Sequence, residues 1–334
     1  MSARRTIVSS TTAPAQEAEA QRFADNFRAL LDNIERVVRG KREVISLALC
    51  CMLAEGHLLI EDVPGVGKTS LAKAMAESIA GSWNRIQFTP DLLPTDVTGV
   101  QIFNRRTSEF EFRPGAVFSN IVVGDEINRA SPKTQSALLE VMAEYQVTAD
   151  ARTYPVPYPF MVIATQNPIE LEGTYNLPEA QIDRFLMRIS MGYPDREAEL
   201  EIVDNIASRR KPVVLSPVVT MADIEMMTGV VERMFISPAV RQYLVSVVRS
   251  TRDIPQLRLA ASPRGTIALA RASQAFAAAE GRPFVTADDV KHLVPYVLGH
   301  RLFVAPEADL AGVTSAELLD RVMRSVPVPR RREG

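Results

Sequence analysis

Lys68 and Thr69 follow the loop Pro64-Gly65-Val66-Gly67, and that order of residue types is suited to holding phosphate. Gly65 and Gly67 leave backbone N–H groups free to curl round an anion, while the Lys68 ammonium can reach the β- and γ-phosphates of a nucleotide. The Thr69 hydroxyl is then placed to ligate Mg²⁺. With Ser70 in the first turn beyond, the stretch from Pro64 to Ser70 is expected to contact ATP. The strict spacing G-x-x-x-x-G-K-[ST] asks for glycine where this chain has Asp62, so the match is one residue short. A glycine-rich turn before an ordinary helix would explain the glycines alone, but not an apolar strand, glycines, lysine and threonine arriving together.

A second group lies downstream. Asp125 and Glu126 end the apolar run that begins at Ile121, which puts two carboxylates at the edge of an α/β sheet where ligands bind. Asp125 can hold the water shell of Mg²⁺, and Glu126, aimed to the other side, can polarise a water for in-line attack on the γ-phosphate. Asn167 ends the next apolar run, where a neutral amide can orient that water without competing for metal. Arg264 falls in the first turn of a helix, where a cation opposes the macrodipole at a cost of about a few tenths of a kcal/mol, and a phosphate nearby would remove the conflict. Arg184, before the apolar run Phe185 to Met191, is a candidate for charge supplied to a neighbouring subunit's ATP. Surface arginine is the plain alternative for both.

These side chains need a scaffold. His57 to Ile60 reads as a buried strand, and Leu71, Met75 and Ile79 recur at helical spacing until Gly81. Ile121 to Val123 and Phe160 to Ala164 are further strands, and their alternation with helices predicts a mostly parallel sheet covered on both faces. Helices are also expected from about Phe23 and from about Glu43 to Ala54. Beyond Pro194 the pattern becomes helical only, at about 195–210, 220–229, 238–252, 263–280 and 287–298. The expected organisation is a disordered tail over 1–22, rich in Ser, Thr and Ala, an α/β nucleotide domain over 23–194 and an all-α lid over 195–330.

Composition narrows the classes. At 334 residues the chain can bury roughly two cores, and a net charge of −2 gives no global field toward nucleic acid or a membrane surface. Cys50 and Cys51 are adjacent in an apolar helical run and read as buried thiols. The three histidines, His57, His292 and His300, show no zinc-ligand spacing. No apolar run reaches the roughly 18 residues of a membrane span, and the N-terminus has no hydrophobic signal core, so a soluble, cytoplasmic protein is expected.

Taken together, GVGKT at 65–69, VVGDEINRASPKTQSALLEVM at 122–142, ATQNP at 164–168, LPEAQIDRF at 177–185 and ASPRGT at 261–266 resemble the MoxR family of AAA+ ATPases, over about residues 25–325. DEINRASPKTQ is far more specific than the P-loop itself. The resemblance implies that Lys68 and Thr69 belong to Walker A, Asp125 and Glu126 to Walker B, Asn167 to sensor 1, Arg184 to an arginine finger and Arg264 to sensor 2. Val38 and Gly40 match the segment that packs adenine. It also implies a ring, commonly a hexamer, with ATP and Mg²⁺ between protomers, and two inserted hairpins at about 99–116 and 145–158 that engage substrate. Arg129 matches a characteristic family position and could serve either the nucleotide across the interface or subunit contact.

The function so implied is ATP hydrolysis coupled to remodelling, assembly or activation of a protein client, with a von Willebrand factor A domain protein as a possible partner. The first alternative is a nucleic-acid motor, since Arg105, Arg106 and Arg113 lie in the first hairpin region. Against it, there is no dense Lys/Arg stripe with interleaved aromatics. The second alternative, a nucleotide-sensing scaffold without turnover, predicts loss of Glu126 or Asn167, and both are present.

Overall fold

The computed structural model describes residues 12–62, 65–149, 152–167, 174–194, 196–197, 199–200 and 213–329. Two helices, α1 (Thr12–Glu35) and α2 (Arg42–Leu53), precede the first strand, β1 (Leu58–Glu61). There follow α3 (Lys68–Ser78), β2 (Trp83–Gln87), a short α4 (Pro94–Thr98), the β3/β4 hairpin (Gly99–Asn104 and Glu109–Pro114) and β5 (Ile121–Asp125). Then come α5 (Pro132–Glu144), the β6/β7 hairpin (Gln146–Ala149 and Arg152–Pro155), β8 (Met161–Gln166), α6 (Glu179–Ile182) and β9 (Met187–Ile189).

Five strands form one parallel sheet in the order β2-β5-β8-β1-β9. Period-two alternation divides its side chains between two cores. Leu58, Ile60, Ile121, Val123 and Ile163 face α1, α2, α3 and the C-terminal helices, while Leu59, Val122, Val162 and Ala164 face α5. Parallel strands buried on both faces read as unbroken apolar runs, which is why β5 and β8 stand out in the sequence. The β2 strand does not, because only Ile86 of its five residues is buried at this sheet edge.

The C-terminal unit is helical, with helices Met221–Glu232, Pro238–Ser250, Pro263–Ala279, Ala287–Leu298 and Ser315–Ser325. Thr220, Thr286 and Thr314 each close a capping box with an acidic residue three positions on. A two-stranded antiparallel ribbon, Leu257–Leu259 with Phe303–Val304, adds strand to a unit expected to be helical throughout. The expected 195–210 helix lies largely outside the described residues.

The tail expected over 1–22 requires a correction. Helix α1 begins at Thr12, so residues 12–22 are helical rather than disordered. Ala and Glu dominate this stretch and are strong helix formers, and tertiary partners fix its second half: Arg22 pairs with Asp223 at 2.5 Å and Glu19 with Arg233 at 2.8 Å. An apolar-periodicity reading cannot see such an anchor, because it is made of charges. Residues 1–11 lie outside the described residues. Cys50 and Cys51 are fully buried free thiols, and burial pushes the Cys50 thiol up to about 12. Among the described residues no helix is long and apolar enough to cross a membrane.

Candidate functional site

The carboxyl edge of the sheet carries a cleft of about 330 Å³, lined by Gly65, Gly67, Lys68, Thr69, Ser70, Arg85, Gln87, Asp125, Glu126, Thr165 and Asn167. Strand order explains the gathering. Because β8 lies between β1 and β5, the loop after β1, the acids ending β5 and the amide ending β8 reach the same edge.

Gly65 and Gly67 hold φ of 87° and 92°, a left-handed backbone that glycine adopts without strain. The helix α3 starts at Lys68 directly after Gly67, and its free N–H groups face the cleft end. Lys68 donates from Nζ to the Asp62 carbonyl at 2.8 Å. Partial burial pushes its pKa down, and Asp62, Asp125 and Glu126 pull it back up. Asp62, the departure from the strict loop pattern, serves the structure: its Oδ2 accepts from the backbone N–H groups of Met191 at 2.5 Å and Gly192 at 2.8 Å, and from Ser190 Oγ at 3.0 Å. A carboxylate here ties the start of the loop to the chain beyond β9, which glycine could not do.

Asp125 is buried, and Thr69 Oγ1 donates to its Oδ2 at 3.4 Å. Thr165 Oγ1 donates to Asp125 Oδ1 at 3.1 Å and accepts from the Glu126 N–H at 3.0 Å, so one hydroxyl orients both acids. Glu126 has φ 56°, an uncommon region for a non-glycine residue. That turn directs it away from Asp125. Its Oε2 accepts from Gln87 Nε2 at 3.0 Å and pairs with Arg129 Nε at 3.0 Å. Arg85 donates from Nε to Asp125 Oδ2 at 2.6 Å and from Nη2 to Gln87 at 3.0 Å. Glu126 is thus held by an exchangeable amide and cation on the cleft wall, whereas Asp125 is held by two hydroxyls as well as by Arg85.

Thr69 and Asp125 place two hard oxygens side by side, a donor set that suits Mg²⁺ completed by substrate phosphates and water. Among the described residues no group of three or more His, Cys, Asp or Glu could hold a metal by itself.

Of the residues anticipated from the sequence, Gly65, Gly67, Lys68, Thr69, Ser70, Asp125, Glu126 and Asn167 meet in this cleft. Val66 packs toward the core, and Pro64 lies outside the described residues. Val38 is buried in the core three residues beyond α1 and Gly40 is an exposed turn residue with φ 67°; neither lines the cleft. Arg184 is turned onto its own chain, where its Nη1 donates to the Leu139 carbonyl of α5, and its buried Nε has no partner among the described residues. Arg264 is exposed near the start of its helix. The structure does not bring either arginine into the cleft of its own chain. Arg85, Gln87 and Thr165 were not anticipated. Arg85 and Gln87 sit two residues apart on β2, and that spacing on a recognised edge strand was the only signal that could have found them.

The chain matches the ATPase family associated with various cellular activities (AAA) over residues 57–187 and the AAA lid domain over 249–322. It is 48% identical to the uncharacterized protein YeaC of Bacillus subtilis, over 91% of this chain and 95% of that one. To Chaperone MoxR1 of Mycobacterium tuberculosis it is 39% identical, over 91% of this chain and 82% of that one. A crystal structure from Cytophaga hutchinsonii, described as a candidate ATPase, superposes with a TM-score of 0.90 at 34% identity, covering 96% of this chain and all of that one.

Proposed function

This chain belongs to the MoxR family of AAA+ ATPases, and we propose that it hydrolyses ATP within an oligomeric ring, commonly a hexamer, to remodel, assemble or activate a protein client. The observation that carries the reading is the opposition, across one cleft, of a phosphate-holding loop and two acids with different surroundings. Asp125 is buried and tied to Thr69, whereas Glu126 is turned aside by its backbone and held only by groups that can exchange.

In this mechanism the N–H groups from Gly65 to Lys68 and the Lys68 ammonium bind the β- and γ-phosphates, with Pro64, Val66 and Ser70 in the same loop and Val38 and Gly40 toward adenine. Thr69 and Asp125 would hold Mg²⁺, which neutralises charge on the phosphate oxygens when bound. Glu126, released from Gln87 and Arg129, takes the proton of the attacking water, and Asn167 orients that water. Arg184 completes the site of the adjacent subunit, and Arg264 closes the lid over the phosphates of its own.

A protein rather than a nucleic-acid substrate is supported by the surface of the β3/β4 hairpin. Its tip carries Arg105 and Arg106, but one face exposes an aromatic pair, Phe103 at 52% and Phe110 at 70% with rings 5.3 Å apart, and the exposed Glu109 and Glu111 offset the arginines. Phosphate tracking needs several cations per strand. A chaperone name on a relative agrees with this reading, and a von Willebrand factor A domain protein is the partner class it suggests, in the cytoplasm.

The test is ATP turnover at physiological salt with added single- or double-stranded DNA, then with candidate protein partners recovered on a Glu126→Gln trap. Turnover should be indifferent to DNA and respond to protein, and Arg105→Glu with Arg106→Glu should alter that response while basal hydrolysis survives. Strong stimulation by DNA that the double charge reversal abolishes would replace this reading with the motor.

A further inference from the structure

A single hydroxyl joins the two arginines that the cleft leaves out. Ser262 Oγ accepts from the Arg264 backbone N–H at 3.1 Å, capping the helix that carries Arg264. The same oxygen donates to Asp183 Oδ2 at 2.8 Å, and Asp183 directly precedes Arg184. The other carboxylate oxygen, Asp183 Oδ1, accepts from Arg301 Nε at 2.7 Å. Arg301 has a side chain only 3% exposed, and its remaining N–H groups are also engaged: Nη2 donates to the Asp183 carbonyl at 3.2 Å and the Phe185 carbonyl at 2.6 Å, while Nη1 donates to the Leu186 carbonyl at 3.3 Å and to the Val297 carbonyl and lies 2.8 Å from His300 Nε2. A lid guanidinium thus grips three carbonyls in the four residues that contain Arg184. Arg258, from the lid ribbon, pairs with Glu179 at the start of α6, so both ends of the 179–186 segment are held from the lid side.

Buried ion pairs are weak contributors to stability, because desolvation offsets the attraction, and an apolar replacement of the pair is often as stable. What such a network does supply is a fixed geometry, since every member is satisfied only in one arrangement. Here the arrangement links helix Pro263–Ala279 to the segment ahead of β9, two elements far apart in sequence, and Gly265 lets the guanidinium stem approach the helix: a Cβ there would meet Arg301 Cδ at 3.3 Å.

We infer that Ser262, Asp183 and Arg301 are positioning residues that make Arg184 follow Arg264, so that nucleotide closing the lid of one subunit sets the arginine offered to the next. The inference rests on the ATP reading given above and extends it to the route by which one site reports to its neighbour. Arg264 draws its helix start toward the phosphates, Ser262 transfers that displacement to Asp183, and Arg301 keeps the backbone on either side of Arg184 rigid while it moves. None of the three touches nucleotide.

Ser262 offers a clean test because aspartate caps a helix about as well as serine, and glycine nearly as well. Ser262→Asp keeps the cap but sets a second carboxylate against Asp183; Ser262→Gly keeps most of the cap and simply removes the link; Ser262→Thr keeps both. Amide hydrogen exchange is followed in the Glu126→Gln background with and without ATP and Mg²⁺, and turnover with Glu126 intact. ATP should protect three segments in the parent: 65–70, 263–267 and 184–187. In Ser262→Asp and Ser262→Gly the protection at 65–70 should remain and that at 184–187 should vanish, with kcat down by roughly tenfold or more and ATP affinity within about twofold. Ser262→Thr should restore both readouts. If 184–187 stays protected and kcat stays at the parent value in a folded Ser262→Asp or Ser262→Gly protein, the link transmits nothing and the inference fails. If ATP protects 65–70 in the parent but never 184–187, it also fails while nucleotide binding stands. Absence of protection at 65–70 in the parent would bring down the ATP reading itself, and this inference with it.

Discussion

The cleft and the lid junction are both charged assemblies, and they treat charge in opposite ways. In the cleft, Arg85, Arg129, Gln87 and Lys68 make short bonds to carboxylates and a carbonyl while remaining partly open to solvent; the Arg85 side chain is 50% exposed. At the lid junction Arg301 is sealed, and its contacts go to one carboxylate, a set of carbonyls and the buried His300 ring. Bonds of the first kind can be surrendered when phosphate arrives, because water replaces the lost partner at little cost. Bonds of the second kind cannot, because nothing would solvate the groups left behind. Open charge is free for chemistry and sealed charge for shape.

The largest expected effect belongs to an arginine that does neither in its own chain. Arg184→Ala should lower turnover about 10³-fold or more, as loss of an arginine finger does, while ATP binding measured by titration stays near the parent value. Mixed with Lys68→Ala subunits it should regain activity, since an intact binding site then meets an intact finger. Proven co-assembly without recovery would count against action on the neighbour and place Arg184 with the sealed charges.

Glu126→Gln should reduce turnover by roughly 10²- to 10⁴-fold, the range for a general base, with a melting temperature close to the parent. Hydrolysis at the parent rate would remove Glu126 from the chemistry. Both substitutions act on rate and leave the fold alone.

The junction should behave in reverse. Arg301→Met removes the sealed cation beside Asp183 and leaves the carbonyls of Asp183, Phe185 and Leu186 without their donor, and should destabilise by about 3–5 kcal/mol in denaturant melts. Arg85→Ala, which removes a half-exposed partner of Asp125, should change stability by no more than about 1 kcal/mol. Equal losses in the two variants would dissolve the distinction between open and sealed charge.

A buried histidine sharpens it by pH. His57 Nε2 donates to the Met142 carbonyl at 2.9 Å and its Nδ1 accepts from the Val162 N–H at 3.0 Å, so the ring is held in one neutral tautomer between α5 and β8. Burial pushes its pKa down from 6.5 to about 4. The unfolded chain binds the proton first as pH falls, so the stability from this ring is complete above about pH 6.5 and is lost between there and about pH 4. Melting temperature should decline over that window, and His57→Gln should be less stable at pH 7 but flatter with pH. An unchanged slope in the variant would show that His57 does not set the acid limb.

How much of this was readable in advance differs by residue. Lys68, Thr69, Asp125 and Glu126 were legible because their chemistry is local: a turn needs its glycines, and a strand end displays whatever follows the apolar run. Arg85 was not, because β2 is an edge strand with one buried side chain and leaves almost no periodic trace. The helical stretch ahead of Phe23 escaped for a related reason, since the partners that hold Glu19 and Arg22 are charges rather than apolar residues. Val38 and Gly40 came from family position alone, and the structure sets one in the core and the other in a turn.

The sequence by itself determined the parallel α/β sheet, the helical C-terminal unit and the glycine-rich loop and acids that line the cleft, because these depend on spacing within a few residues. Only the tertiary structure decided that Asp62 anchors its loop to residues 190–192, that one threonine orients both acids, and that Ser262 stands between Asp183 and Arg264. Apart from the helix cap itself, each of those contacts joins residues between about forty and one hundred and thirty positions apart. No local pattern encodes such a pairing. It exists because strand order and lid packing bring distant chain segments together and leave each buried polar group to find whatever partner lies in reach.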